Sequence, residues 1–276
     1  MAEKRDNMPH VKEGNHKEVG YSIDDFLSGL VRLKQPIDGY RVSMDTLLLA
    51  ASVPAQPGDT VLDAGTGSAG AALCLAHRVS GVHVTGIELQ EEMARYGADN
   101  VALNDMDGRV TVLQGDITVP PAQLKAGSFD HVITNPPYLP SGKANRSASQ
   151  TKGLAHMEKS ASLKSWVNFC VDMARYKGSI TFVYRADRLD ELLHRLYGRV
   201  GDLRLCPLWP HKEEAAKLIL VQGRKGVSGG MTILPGLVLH NQEEGYTVEA
   251  EAILRRGGEL NMGTIKPMKS SFESLG

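Results

Sequence analysis

The sequence contains few cysteines and few aromatic residues, carries almost no net charge and lacks any long apolar run. Its 276 residues include 3 cysteines, and 31 basic residues nearly balance 32 acidic ones, which leaves a net charge of −1. Such a chain has no global field that attracts nucleic acid or an anionic membrane, so a charged partner must meet a local patch. No stretch approaches the ~20 apolar residues of a membrane helix, and the polar residues 1–18 lack an apolar signal core. These absences favour a cytoplasmic protein without a membrane partner.

The cysteines are spaced in a way that argues against the common metal motifs. Cys74, Cys170 and Cys206 lie far apart, with neither a C-x-x-C pair nor a histidine at zinc-ligand spacing. We therefore expect a reducing compartment and no bound metal.

From Asp59 onward, short apolar runs alternate with helical patterns, which is typical of consecutive βαβ units. The expected strands lie at 60–65, 83–89, 109–116, 129–135 and 179–185, followed by two more within 203–210 and 215–226. The short connection between the last two predicts an antiparallel pair at the sheet edge. The pattern predicts an α/β fold with a mainly parallel, seven-stranded sheet and helices on both faces.

Two helices and the flanking segments complete this organisation. Apolar residues at i, i+3, i+4 and i+7 predict helices at 163–176 and 189–197, with Trp166 and Cys170 in the core. The expected parts are a flexible lead (1–20), a flap and helical extension (21–58), the main core (59–227) and a C-terminal appendage packed on that core (228–276). A further helix is expected near 247–255, within the appendage.

The stretch VLDAGTGSAG runs from a predicted strand into a predicted helix, with Gly65, Gly67 and Gly70 spaced as G-x-G-x-x-G. Glycines permit a tight turn and the close approach of a ligand to the backbone. This spacing alone fits a nicotinamide dinucleotide as well as S-adenosylmethionine. A carboxylate at Asp63 favours the second, because it attracts a cationic methionine moiety and repels a pyrophosphate.

Polar side chains follow four of the predicted strands at their carboxyl ends. Asp63, Glu88, Asp116 and Asn135 each end one strand, and open α/β sheets bind ligands at this edge. Glu88 is placed to accept hydrogen bonds from ribose hydroxyls, and Asp116 from an adenine amino group. The sequence therefore predicts a nucleoside site at this edge.

The stretch TNPPYLP follows the strand FDHVIT and forms a stiff loop, since each proline fixes φ and removes a backbone donor. Asn135 precedes a proline and is pushed toward an extended conformation. Its side-chain oxygen and a proline carbonyl can accept both protons of an exocyclic amine, while Tyr138 can stack on a planar substrate. We predict that Asn135, Pro136, Pro137 and Tyr138 bind and activate the target amine.

The motifs D-x-G-x-G at 63–67 and N-P-P-Y at 135–138 resemble those of class I methyltransferases that act on amino groups of adenine or glutamine. Five further stretches are similar to the bacterial tRNA valine adenine-N6 methyltransferase family: RLKQPIDGYRVSMDTLLLAA (32–51), FDHVITNPPY (129–138), AH (155–156), RAD (185–187) and LPGLVLH (234–240). This resemblance extends from Asp25 to about Gly257. The glycine loop reads DAGTG where the family commonly begins with cysteine or an acidic-leucine pair.

The resemblance implies a Rossmann-like fold and S-adenosylmethionine as the cofactor. It implies that the donor is held by Asp63, Gly65, Thr66, Gly67, Glu88, Leu89, Asp116, Ile117 and Asn135. It also implies a flap over the donor formed by Gly39 to Thr46, with Arg41, Asp45 and Thr46 as further cofactor-binding candidates.

The segment after N-P-P-Y is locally basic. Between Ser141 and Lys164 it contains five basic residues against the single acidic Glu158. A basic loop at the mouth of the site can follow RNA phosphates, so we expect Lys143, Arg146 and Lys152 to bind RNA.

The sequence therefore predicts an S-adenosylmethionine-dependent methyltransferase that acts on the adenine amino group of RNA, near the anticodon of a tRNA. A protein-glutamine methyltransferase is the nearest alternative, because a glutamine amide presents the same two hydrogens. A nicotinamide oxidoreductase and a non-catalytic RNA-binding scaffold remain as further hypotheses.

Overall fold

The computed structural model describes residues 20–137, 161–242 and 245–263. The strands are β1 (Tyr21–Phe26), β2 (Val31–Pro36), β3 (Thr60–Ala64), β4 (His83–Glu88), β5 (Val110–Gln114), β6 (Phe129–Thr134), β7 (Ala174–Arg185), β8 (Val200–Trp209), β9 (Leu218–Lys225), β10 (Met231–Ile233) and β11 (Leu237–Val238). The α-helices are α1 (Met44–Ala51), α2 (Gly70–Arg78), α3 (Glu91–Leu103), α4 (Leu163–Met173), α5 (Leu189–Leu196) and α6 (Val248–Arg256).

The main sheet contains the seven predicted strands in the order β8-β9-β7-β6-β3-β4-β5. Strands β5, β4, β3, β6 and β7 are parallel, whereas β9 is antiparallel to both β7 and β8. The predicted antiparallel pair is therefore confirmed. Two short strands, β10 and β11, extend the sheet beyond β8 by parallel pairing, and the sequence pattern did not reveal them.

Both faces of the sheet are buried. The adjacent residues Val132 and Ile133 on β6 belong to opposite core clusters, as the two-residue period of a strand requires. Helices α1, α2 and α6 cover one face, while α4 and α5 cover the other. Trp166 and Cys170 lie in the second cluster, so their prediction as core residues is confirmed.

The N-terminal extension consists of a β-hairpin followed by helix α1. Strands β1 and β2 pair in antiparallel register and are joined by a 3-10 turn at Leu27–Gly29. The side chain of Asn100 on α3 bonds the outer edge of β2, because its oxygen accepts from Lys34 N at 2.6 Å and its nitrogen donates to Lys34 O at 3.0 Å. The same nitrogen donates to Ser68 O at 2.9 Å, which connects the hairpin to the glycine loop.

The C-terminal residues up to 263 pack on the main core. Helix α6 contacts α1 and the 3-10 turn, and Leu260 N donates to Ala51 O at 2.9 Å. Thr247 caps α6 through its hydroxyl, which accepts from Ala250 N, and Gly257 ends the helix in a left-handed conformation. The predicted helix near 247–255 is thus present. The expected flexible lead falls almost wholly within residues 1–19, outside the described residues.

Candidate active site

The parallel strands bring the predicted polar residues to one edge of the sheet. Asp63 is the second-last residue of β3, Glu88 is the last residue of β4, and Asn135 directly follows β6. Asp116 follows β5 by two residues. Because β5, β4, β3 and β6 are consecutive neighbours, these side chains form a continuous row at the carboxyl edge.

The glycine loop between β3 and α2 is held by backbone hydrogen bonds to the neighbouring strand. Gly65 N and Thr66 N both donate to Ile87 O, at 2.9 and 3.0 Å. Gly65 has a φ of +73°, and a Cβ atom placed there would lie 2.6 Å from the ring carbon Cη2 of Trp166. Both the backbone conformation and the lack of space therefore require glycine at this position.

Glu88 holds the same loop from the adjacent strand. Its two carboxylate oxygens accept hydrogen bonds from Gly67 N and Gln90 N, each at 2.9 Å. Burial raises the pKa of Glu88, and the bonds from Gln90, Gly67 and Leu89 oppose that shift. The structure thus gives Glu88 a role in shaping the loop, and its predicted contact with ribose hydroxyls stays a prediction.

Asp63 is a buried carboxylate with few local hydrogen bonds to offset the cost of burying its charge. It is only 2% exposed, and the hydroxyl of Thr66 donates to Oδ2 at 2.6 Å. Burial raises the pKa of Asp63 to about 6, and the negative charge of nearby Glu88 adds to the rise. A cationic group bound at this edge would stabilise the ionised carboxylate, so the site fits a positively charged ligand better than an anionic one.

A narrow cleft follows the edge from β3 toward β5. Its lining includes the predicted residues Gly65, Glu88, Leu89, Asp116, Ile117 and Pro137, and also Ile87, Gly115, Ala161 and Trp166. Asp116 accepts bonds at Oδ1 from the backbone and the hydroxyl of Thr118, at 2.7 and 2.8 Å, which orients its carboxylate.

Trp166 belongs to the site as well as to the core. Its ring contacts the glycine loop and lines the cleft, and its Nε1 has no hydrogen-bond partner among the described residues. The helical pattern of 163–176 predicts Trp166 as a core residue and gives no indication that its ring also lines the cleft. No local signal in the sequence indicates that α4 packs against residue 65.

The N-P-P loop begins where β6 ends. Thr134 donates through its hydroxyl to Ala64 O at 2.9 Å, which connects this loop to the end of β3. Asn135 donates from Nδ2 to Asp45 Oδ2 at 2.8 Å, and the peptide bonds before Pro136 and Pro137 are trans. Tyr138 and the predicted RNA-binding residues Lys143, Arg146 and Lys152 lie outside the described residues.

The flap, residues 39–46, contacts both the glycine loop and Asn135. The Tyr40 ring lies near Gly67, where an added Cβ would meet it at 3.6 Å, and its hydroxyl lies 3.4 Å from Thr46 Oγ1. Tyr40 is a site residue that sequence reasoning missed. Asp45 contacts Asn135, as described above, whereas its predicted contact with a cofactor stays a prediction.

Arg41 reaches the hairpin instead of the glycine loop. Its guanidinium forms an ion pair with Asp24 and donates to Pro36 O at 2.9 Å. Gln35 supports the same turn, since its side-chain oxygen accepts from Val42 N at 2.7 Å. These bonds anchor the flap to the hairpin, and a direct contact of Arg41 with a cofactor remains only a prediction.

The described residues contain no cluster of three or more histidine, cysteine, aspartate or glutamate side chains suited to hold a metal ion. Within the same residues, every helix is too short or too polar to cross a membrane.

Comparison with protein families and curated proteins identifies relatives of the chain. Residues 55–185 match a family model described as a methyltransferase domain. A tRNA1(Val) (adenine(37)-N6)-methyltransferase of Erwinia tasmaniensis is 38% identical over 122 residues, which cover 42% of this chain and 49% of that protein. The chain thus spans about half the length of that relative. A protein of the same name from Actinobacillus succinogenes is 28% identical over 76% of this chain and 86% of its own length.

Solved structures share the fold at lower identity. A protein from Agrobacterium tumefaciens, described as a predicted O-methyltransferase, aligns with a TM-score of 0.66 and 23% identity over 79% of this chain and 98% of its own. The tRNA (m1A58) methyltransferase of Aquifex aeolicus aligns with a TM-score of 0.51 and 15% identity over 70% of this chain and 73% of its own.

Residues 55–185 match the methyltransferase domain, and the shared fold, with the glycine loop at the carboxyl edge, is that of the class I methyltransferases. Several curated proteins to which the chain is similar, at 28–38% identity, are named tRNA1(Val) (adenine(37)-N6)-methyltransferases. The resemblance read from the sequence motifs is thereby confirmed.

Proposed function

We propose that the chain transfers a methyl group from S-adenosylmethionine to the exocyclic amine of an adenine in tRNA, near the anticodon. The observation that carries this proposal is the position of Asn135, directly before two prolines and at the same sheet edge as the glycine loop. The curated relatives are named for adenine-N6 methylation of a valine tRNA, which supports the same reaction and substrate.

The cleft residues have the properties that a nucleoside sulfonium donor requires. Gly65 and Gly67 would bring backbone atoms close to the ligand, Glu88 and Asp116 would accept its hydroxyl and amino protons, and Asp63 would offset its positive charge. When bound, the donor supplies an electrophilic methyl group.

The protein would act on the amine through hydrogen bonding and placement. The amide oxygen of Asn135 and the carbonyl of Pro136 can each accept one amino proton, which favours a pyramidal nitrogen with an available lone pair. A carbon–nitrogen bond then forms as the carbon–sulfur bond breaks, the bonding electrons pass to sulfur, and the extra amino proton leaves to water. This chemistry needs neither a strong general base nor a covalent enzyme intermediate.

The proposed RNA contacts are Lys143, Arg146 and Lys152 in the basic segment after N-P-P-Y. An adenine must leave its base stack to reach Asn135, which costs less in a loop than in a duplex. An anticodon-loop adenine is therefore a more accessible target than one in a stem. A tRNA substrate also supports the expected cytoplasmic location.

Transfer of labelled methyl from S-adenosylmethionine tests the proposal. The acceptors are an unmodified valine tRNA transcript, the same transcript with the adenine at position 37 replaced by guanine, and a release factor. We expect N6-methyladenosine in the first acceptor alone. Label in the release factor would support the protein-glutamine alternative, and absence of label in all three would contradict amine methylation.

The variant Asn135→Ala tests the assigned role of the amide. We expect it to retain donor affinity, measured by calorimetry, and to lose turnover on the order of 100-fold. Asn261→Ala is a matched control because this asparagine does not line the cleft and its side-chain oxygen accepts from the nearby Gly263 N. Near-normal turnover of Asn135→Ala would contradict its role.

A further inference from the structure

We propose that Asp45 is a positioning residue for Asn135, which binds the amide nitrogen and thereby directs the amide oxygen to the target amine. This inference rests on the proposed methylation of an amino group. It gives the flap a part in the reaction itself, in addition to covering the donor.

The hydrogen bond between the two side chains determines the orientation of the amide. Asn135 Nδ2 donates to Asp45 Oδ2 at 2.8 Å, although the residues are 90 positions apart in the sequence. A side-chain amide can rotate by half a turn and exchange its oxygen and nitrogen, but an ionised carboxylate only accepts hydrogen bonds. The reversed orientation would place the amide oxygen against the carboxylate and is therefore disfavoured.

Asp45 is itself held in place by its local structure. Its other oxygen, Oδ1, accepts a hydrogen bond from the hydroxyl of Ser43. Asp45 also lies in the first turn of α1, where the helix dipole stabilises a negative charge. Both carboxylate oxygens thus have defined partners, so Asp45 can hold Asn135 before a substrate binds.

Tyr40 also lies in the flap, close to Asp45 and Asn135. Its hydroxyl is 3.4 Å from Thr46 Oγ1. Burial of the hydroxyl end and the charge of Asp45 raise the pKa of Tyr40 to about 12, although 52% of the whole residue is exposed. The phenol therefore stays neutral near pH 7 and adds no second negative charge beside the amide.

The orientation matters because the target amine is a hydrogen-bond donor. An amide oxygen can accept one of its protons, whereas an amide NH₂ group facing it would place two donors together. Removal of the Asp45 carboxylate lets the Asn135 amide rotate, so part of the enzyme would carry the unproductive orientation. The expected loss appears in turnover and leaves donor affinity unchanged.

Kinetics of Asp45→Ala, Asp45→Asn and the double variant Asp45→Ala/Asn135→Ala test this role. We expect Asp45→Ala to lower kcat about 10- to 100-fold, in the range of losses from a missing catalytic hydrogen bond. Asp45→Asn should fall between it and the wild type, because its side-chain oxygen still accepts from Nδ2. The double variant should be no slower than Asn135→Ala, since both changes remove one function. Multiplying losses in the double variant would overturn the proposal.

Asp38→Ala is the matched control, because Asp38 is an exposed carboxylate just before the flap. Its kcat and its KM for tRNA should equal those of the wild type. A decrease in kcat as large as that of Asp45→Ala would mean that any substitution near the flap impairs turnover, and would overturn the specific role of Asp45.

Nuclear magnetic resonance of the side-chain amides separates this inference from the proposed function. The Asn135 NH₂ signal is identified by its loss in Asn135→Ala, and we expect it to shift in Asp45→Ala but not in Asp38→Ala. An unchanged signal would overturn the proposal even if tRNA is methylated. A shifted signal supports the contact even if no methyl is transferred, in which case the proposed function alone fails.

Discussion

At the scale of one residue, burial makes the ionised form of Asp63 unfavourable in the ligand-free protein. Its folded pKa of about 6 lies above its ordinary value of 3.8. The protonated form is therefore favoured by folding, and this contribution to stability is complete below about pH 4 and lost as the pH rises through 6. Above pH 6 the ionised carboxylate costs the ligand-free protein about 3 kcal/mol, at 1.36 kcal/mol per pKa unit.

Replacement of Asp63 by asparagine should therefore stabilise the ligand-free protein and weaken donor binding. The gain in unfolding free energy should grow from pH 4 to pH 6 and level off at about 2–3 kcal/mol. Denaturant titration at each pH measures it, with the exposed Asp107→Asn as the control. Calorimetry should show a larger loss of affinity for cationic S-adenosylmethionine than for neutral S-adenosylhomocysteine. Equal losses for both ligands would contradict the charge argument.

The turn between β3 and α2 shows how one element constrains another. Gly65 and Gly127 have similar φ values, +73° and +69°, but an added Cβ would contact Trp166 at 2.6 Å in the first and nothing within 4 Å in the second. The two glycines therefore share the backbone strain of a substitution and differ only in the available space.

Gly65→Ala and Gly127→Ala form a matched pair that isolates this contact. Both should lose about 1–2 kcal/mol of unfolding free energy through the left-handed backbone. Gly65→Ala should lose about 1–3 kcal/mol more, because helix α4 must shift away from the loop, and its donor affinity should fall at least tenfold. If thermal or denaturant unfolding gives the same loss of unfolding free energy for both variants, the Trp166 ring does not contact the glycine loop as described.

At the scale of the whole molecule, a chain with a net charge of −1 would have to bind the proposed RNA substrate through local patches rather than through its overall field. The described part of the carboxyl edge carries Asp63, Glu88 and Asp116, which do not attract phosphates. The predicted positive charge at the mouth of the site therefore depends on the basic segment after N-P-P-Y.

The triple variant Lys143→Ala/Arg146→Ala/Lys152→Ala should weaken tRNA binding and reduce its dependence on salt. If all three residues contact phosphates, the slope of log affinity against log salt should decrease by about 2, at roughly 0.7 per charge for single-stranded RNA. Filter binding between low and physiological salt measures the slope, and donor affinity should stay the same. An unchanged slope would exclude this segment as the phosphate-binding surface.

The sequence by itself determined the features that act over a few residues. Strand β6 ends at Thr134, shortly before the proline pair, because a proline cannot continue a ladder, and the glycine loop turns at Gly65 and Gly67, where glycine adopts a positive φ without strain. The strands β3 to β9 and the helices α4, α5 and α6 were predicted in the right places, because burial on one or both faces leaves a clear period. The largest error lies between α4 and β7, since the helix predicted to 176 ends at Met173 and the strand predicted from 179 begins at Ala174. The row of polar residues at the carboxyl edge follows from the parallel order.

Only the tertiary structure decided which distant residues meet. The bond from Asn135 to Asp45 and the contact of Trp166 with Gly65 depend on how α1 and α4 pack against the sheet, which no local pattern specifies. Strands β10 and β11 contain three and two residues, so pairing with β8 rather than intrinsic propensity makes them strands. The hairpin was not predicted because the backbone of β2 is hydrogen-bonded by the side chains of Asn100 on α3 and Asn104 directly after it. Only the folded chain brings these side chains to the strand.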